Sequence, residues 1–313
     1  MIEKYKDPEG KLSVALDCAV RDAQNKYKSG YTTKKGTTYC NYMSNYDWNK
    51  FLKSIKDCHK KQFDDGAGGE LKEGENPPKM ASFGSSSRFI YEESKDIEGF
   101  VFEEKLDTRV GGIAHLDGSR KKAFEYIFVE AKKREIYYSN SHKNEDIKEV
   151  YMEVYHYISD HILDYIQKNH IQGDIFSFAS KESEKNEYKK ITFKVGGDVV
   201  QYFDLKQLIC HFLGITYDIA KHHIGNVKVK FLYLIYNPKE VIEKKANEYS
   251  GKIEKRYDEV TKFINKNIKN GVFDAIFQSV LDYQIKKQGL DNNTKIDFKM
   301  KLVDQTNYKD EVM

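Results

Sequence analysis

The stretch that could do chemistry runs from His115-Leu116-Asp117-Gly118, through Ser119 to Tyr126, into Ile127-Phe128-Val129-Glu130-Ala131-Lys132. Side chains alternate along a β-strand, so Glu130 and Lys132 share a face with Phe128, while Ile127, Val129 and Ala131 take the other. An acid and a lysine therefore emerge from an otherwise apolar strand, where a charge without a partner is costly. Asp117 sits before a turn expected at Gly118, Ser119 and Arg120. An antiparallel hairpin there would return Asp117 close to Glu130. Two converging carboxylates suit a hard cation such as Mg²⁺ or Mn²⁺, which would polarise a phosphodiester and acidify an attacking water. Lys132 would stabilise the charge developing on phosphorus or hold the water in line. Asp-Gly is also a common turn, and Glu-x-Lys also suits a solvated ion-pair face, so the elements around the motif matter as much as its letters.

Those elements follow from hydrophobic spacing. Residues 10 to about 29 read as a helix through Leu12, Ala15, Leu16, Ala19 and Ala23, and a second is expected from Asp47, a candidate N-cap, to Gln62. Asp64 to Lys79, rich in glycine and acids, reads as a loop or linker. A short helix opens at Ser85 to Ser87, with Phe89, Ile90 and Glu93 on one face. Strands are expected at Phe100–Leu106, about Gly112–Leu116, and Ala123–Ile136. A long helix follows at about Asn144–Gln167, then strands at Ile175–Ala179 and Ile191–Phe203. Asp204 can cap a helix carrying Leu205, Leu208, Ile209 and Phe212. Val227–Tyr236 is an apolar strand stopped by Asn237-Pro238. The pattern then turns helical to about Gln288, broken near Gly271, with a last strand at Lys295–Val303. This order argues for an α/β core with helical decoration.

With the elements in that order, Asp117 and Glu130-Ala131-Lys132 resemble the D-x(n)-E-x-K signature of the PD-(D/E)XK nuclease superfamily. Leu116 stands where that family usually has proline. The resemblance covers about Ser82 to Pro238. It implies a restriction-endonuclease-like mixed central sheet flanked by helices, with additional N- and C-terminal helices. The corresponding division is 1–63 helical, 64–79 loop or linker, 80–240 nuclease-like core, and 241–313 helical extension. It also implies metal-dependent hydrolysis of nucleic acid, DNA ahead of RNA, as in a restriction-type endonuclease. Asp117 and Glu130 would be the Mg²⁺ (or Mn²⁺) ligands and Lys132 the transition-state residue. Such nucleases often add an acid from the first helix, for which Glu93 is the candidate. Glu103 or Glu104 could also reach the site, and Gln207 resembles the polar helix residue that steadies the metal site in exonuclease-like relatives.

Composition narrows the alternatives. The chain has 313 residues with 52 Lys+Arg against 49 Asp+Glu, and 18 Phe and 23 Tyr supply core volume to a sequence that is 32% charged. Disorder throughout is excluded. The longest unbroken apolar run, Phe231 to Tyr236, is too short to span a bilayer, and the first residues lack a secretory apolar segment, so no membrane association is expected. Cys18, Cys40, Cys58 and Cys210 form no CxxC pair, which suits a reducing cytoplasm. Cys58-His59 and Cys210-His211 lack zinc spacing and read as packing residues. Neither a P-loop nor Gly-x-Ser-x-Gly is present. Arg120, Lys121, Lys122, Lys133 and Arg134 cluster around the hairpin and could hold phosphates, or simply solvate a turn. The flanking helices could shape a DNA channel or a homodimer contact. The rival function is a non-catalytic nucleic-acid- or protein-binding module on the same fold.

Overall fold

A computed structural model describes residues 10–66, 69–137, 145–147, 151–171, 177–181, 189–195, 198–199, 203–222, 225–290 and 293–313. The fold is mixed α/β. Its centre is a five-stranded sheet of β3 (Phe100–Asp107), β4 (Ile113–Lys122), β5 (Glu125–Lys132), β10 (Gly225–Ile235) and β11 (Thr294–Val303), in the order β11-β10-β5-β4-β3. Strands β3, β4 and β5 form an antiparallel meander, whereas β5, β10 and β11 run parallel. β5 is thus the strand at which the sheet changes from one mode to the other. It is buried on both faces through most of its length, as its continuous apolar run requires.

Helices cover both faces. On one lie α6 (Leu205–His222) and α9 (Val272–Gln288). Phe212 of α6 meets Phe231, Phe277 and Phe298 edge-on, and the Phe277 and Phe298 rings stack 3.9 Å apart. On the other face lie α3 (Asp57–Asp65) and α4 (Ser86–Ser94), with α1 (Gly10–Gln24) outside the sheet's own contacts. There the rings of Phe63 and Tyr91 close on Phe102, and Phe89 meets Tyr236. Aromatic side chains do supply the core volume. The expected helix break at Gly271 separates α8 (Ser250–Lys269) from α9, and Gly271 has φ of 68°. Asp204 caps α6, its Oδ1 accepting from the Gln207 N–H at 2.7 Å.

Several expectations shift. The single helix at 47–62 is two, α2 (Asn45–Ser54) and α3, and the N-cap of α2 is Ser44, whose hydroxyl accepts from the Asp47 N–H. Residues beyond Gln24 leave the first helix and form a hairpin of β1 (Ser29–Thr32) and β2 (Thr38–Met43). The strand before the motif does not end at Leu116: β4 continues to Lys122, and the turn falls at Ala123-Phe124. The charged residues read as a turn are tied down within the strand. Arg120 donates to the Glu98, Val312 and Met313 carbonyls, and Lys121 pairs with Glu104 and Asp218. Where Asn144–Gln167 reads as one helix, Glu145–Ile147 form β6 and the helix, α5, spans Met152–Lys168, with 148–150 outside the described residues. A small second sheet holds β6, β7 (Ser177–Lys181), β8 (Lys189–Val195) and β9 (Asp198–Val199); the expected strands at 175–179 and 191–203 lie partly outside the described residues. Helices α7 (Lys239–Lys244) and α10 (Tyr308–Val312) are the remaining α-helices among the described residues.

Residues 69–78 form the expected loop, exposed at 72–76 but anchored on either side. Leu71 and Glu70 are buried, the Glu70 carbonyl accepts from Met80 N, and Glu73 accepts from the Trp48 indole. No helix among the described residues is long and apolar enough to cross a membrane.

Candidate functional site

The β4–β5 ladder ends at the pair Gly118–Val129. One residue further, Asp117 and Glu130 would face each other, but there the strands part. The Asp117 side chain takes over, its Oδ2 accepting from the Ala131 N–H at 2.6 Å. On the other side of β4 the ladder to β3 pairs Phe102 with Gly118 and Glu104 with Leu116, skipping Glu103 opposite Asp117. Glu103 has φ of 54°, a left-handed conformation in which an L side chain is strained. Three carboxylates, Glu103, Asp117 and Glu130, therefore occupy matching positions on three adjacent strands, at the point where the sheet opens.

The opening is a cavity of about 280 Å³, into which Asp117, Glu130, Lys132, Gln207 and Glu70 project. Its other wall is the start of α4, with Gly84, Ser85, Ser86 and Ser87, and its rim carries Tyr42, Lys79, Ser82, Arg134 and Glu135. Ser85 caps α4, accepting from the Arg88 N–H at 3.1 Å. Ser86 donates to Glu135, and Ser87 donates to Glu103 at 3.5 Å. Gly84 is required here: a Cβ would collide with the Asp17 carboxylate and the Arg134 side chain, which pair with each other at 3.3 Å.

Lys132 is the hub. Its Nζ lies 2.5 Å from Glu130 Oε1 and 2.7 Å from Gln207 Oε1. Burial is the largest single influence and opposes its charge, but Glu130, Tyr233, Glu135 and Asp117 together outweigh it and hold the ammonium well above its ordinary pKa. Burial, reinforced by Glu130, pushes Asp117 well above the usual carboxylate range. Burial raises Glu130 as well, against the pull of Lys132. Glu103 is pushed up to about 7, by burial first and then by Glu70 and Glu130. His211 of α6 stays neutral near pH 7, since burial and the Lys132 charge lower it to about 3. The site thus has more enclosed negative groups than one lysine can balance.

That arrangement can accept a cation. Asp117 and Glu130 line one cavity with Lys132 paired to Glu130, and such a set of hard oxygen donors suits a divalent cation. Among the described residues no three His, Cys, Asp or Glu side chains form a metal cluster. Mg²⁺, however, keeps several waters and commonly takes only one or two protein carboxylates beside substrate phosphates. The residues present fit such an ion.

Asp117, Glu130, Lys132 and Gln207 are thus brought together around one cavity. Glu93 is not among the residues lining it. That carboxyl is half-buried, raised by burial, and feels Lys309 and Glu92 rather than the cavity groups. The third acid beside Asp117 is Glu103 instead, which also stands outside the cavity lining but, unlike Glu93, interacts through its charge with both Asp117 and Glu130. Glu104 turns away, bonding Ser119 and Lys121. Strict alternation would put Phe102, Glu104 and Leu106 on one face, but Phe102 meets Tyr91 of α4 whereas Leu106 lies under Gly214 of α6. The left-handed residue between them breaks the alternation, and no sequence signal announces it. Glu70 and the α4 serines were missed as site residues because one lay in an expected linker and the others read as a cap. Lys133 is buried against the Phe89 and Tyr236 rings rather than facing phosphates. Comparison with known protein families, with curated proteins and with solved structures finds no match.

Proposed function

We propose that this protein is a metal-dependent nuclease that hydrolyses nucleic-acid phosphodiester bonds, DNA in preference to RNA, on a restriction-endonuclease-like core of the PD-(D/E)XK type. The observation that carries this reading is the convergence of Asp117, Glu130 and Lys132 on one polar cavity, with Gln207 gripping Lys132 from the opposite helix. Mg²⁺ or Mn²⁺ held by Asp117 and Glu130 would supply charge neutralisation at the phosphate and a more acidic water. Lys132, kept cationic by Glu130, provides a positive group where the phosphorane charge develops. Glu103, titrating near 7 at the edge of the site, is suited to take a proton from the attacking water. Gln207 keeps the Lys132 ammonium in place rather than free to collapse wholly onto Glu130.

The test is Mg²⁺- or Mn²⁺-dependent cleavage of a panel of DNA substrates by the wild type and Lys132→Ala. Cleavage abolished by EDTA and by the substitution supports the nuclease. Equal cleavage by both proteins assigns the activity to another centre or a contaminant. Cleavage by neither, with modified, structured and RNA substrates included, turns the reading to a binding module on the same fold.

A further inference from the structure

Glu130 Oε2 and His211 Nδ1 are both buried, neither has a hydrogen-bond partner, and they lie 3.7 Å apart. The His211 side chain is 2% exposed and that of Glu130 4%. Two orphaned polar atoms facing each other inside a protein are uncommon, because each forfeits its bond to water. A movement of less than about 1 Å would bring them within hydrogen-bonding range.

Their setting gives the pair a role. Gln207 and His211 lie one turn apart on α6, a rise of about 6 Å. Glu130 and Lys132 are two residues apart on β5, a rise of about 6.6 Å. The two spacings match, so α6 presents Gln207 to Lys132, with a further bond to Glu130, and His211 to Glu130. The Gln207 half of this clamp is closed at 2.7 Å. Packing holds the His211 ring, its centre 6.1 Å from that of Phe231.

We propose that His211 is a positioning residue for Glu130: the ring's one proton sits on Nδ1, turned to Oε2 in preference to the His115 carbonyl that also lies beside the ring, and this hydrogen bond fixes the plane of the carboxylate, with Oε1 toward Lys132 and the cavity. This rests on the reading of Glu130 as a cation-binding carboxylate. Without the donor, Glu130 can turn about its terminal bonds and its geometry for a cation is lost, while Asp117 and Lys132 stay where they are. Outer partners of metal-binding carboxylates typically matter by 10–100-fold in metal affinity.

The experiment measures Mn²⁺ binding to the full chain by calorimetry or electron paramagnetic resonance, with circular dichroism as the check of fold. The proteins are the wild type, His211→Leu, His211→Asn and Glu130→Gln. His211→Leu is expected to weaken Mn²⁺ binding by roughly 10–100-fold, whereas His211→Asn, which keeps an amide donor at the Nδ1 position, stays within about threefold of the wild type. Should the leucine variant not fold, His211→Phe removes the donor while refilling the space beside Phe231. Wild-type affinity in the donor-less variant, with binding lost in Glu130→Gln, overturns the positioning role and leaves the metal reading standing. Equal losses in the asparagine and leucine variants overturn it too, since a donor would then not be what matters. No Mn²⁺ binding by the wild type removes the metal reading, and the proposal with it.

Discussion

Glu103→Gln should make the protein more stable at alkaline pH. The Glu103 carboxyl is raised from the ordinary 4.5 to about 7, mainly by burial and then by Glu70 and Glu130. Between those two values the folded protein holds a proton that the unfolded chain releases, so stability falls as pH rises through this window and stays lower above it. At ~1.4 kcal/mol per pH unit the interval corresponds to about 3 kcal/mol, and partial access to the cavity brings the expectation to about 2–3 kcal/mol. Glutamine keeps the shape and removes the titration. Urea unfolding in EDTA, from pH 4 to pH 8.5, should show the variant level with the wild type below pH 4.5 and about 2–3 kcal/mol more stable above pH 7.5. EDTA matters because a bound cation would offset the same repulsion and hide the effect. Parallel pH curves for the two proteins, or a variant less stable at pH 8, would refute the account of Glu103 as a buried carboxylate crowded by like charges. Cleavage by the same variant should fall, which would make Glu103 a residue kept at a cost to stability.

Other substitutions probe the neighbouring groups. Lys132→Met should abolish cleavage and, by leaving Glu130 buried without its counter-charge, cost roughly 3–5 kcal/mol in urea unfolding at neutral pH. Adding Glu130→Gln to it should recover most of that loss, and a double variant no more stable than the single one would contradict the pairing. Gly84→Ala should destabilise by about 1–3 kcal/mol through the clash with Asp17 and Arg134, read as a lowered urea midpoint with unchanged slope. Glu93→Gln should leave the cleavage rate within about twofold of the wild type, since substitutions away from the reacting groups are mostly mild. A loss as large as that in Glu103→Gln would return Glu93 to the site.

The legible parts of the sequence were those governed by local rules. Ser85, Asp204 and Gly271 mark helix ends through caps and a positive φ, and β10 and β11 stand out as strands by their composition. The convergence of Asp117 on Glu130 followed from alternation plus an antiparallel hairpin. The turn was misplaced because Gly118-Ser119-Arg120 has turn chemistry, while the bonds that hold Arg120 in a strand come from carbonyls at Val312 and Met313. Glu103 was undecidable from pattern alone, because its backbone breaks the periodicity that such a pattern assumes. Glu70 was hidden for the opposite reason. A glycine-rich, acidic stretch reads as solvent-facing, and only its packing beside Trp48 and Met80 reveals a wall of the cavity.

The change of strand direction at β5 has a consequence for the order of assembly. Its antiparallel neighbour β4 is joined to it by a two-residue turn, whereas its parallel neighbour β10 comes only after α5, the small sheet and α6. Closing the short loop costs far less chain entropy, so the hairpin carrying Asp117, Glu130 and Lys132 can form early, long before Gln207 and His211 arrive. A chain emerging from the ribosome would carry the charged trio before it carried the helix that restrains it. Pulsed hydrogen exchange during refolding should find the Ser119–Phe128 amides protected ahead of those of α6. Simultaneous protection would mean that the charges and their clamp are built in one step.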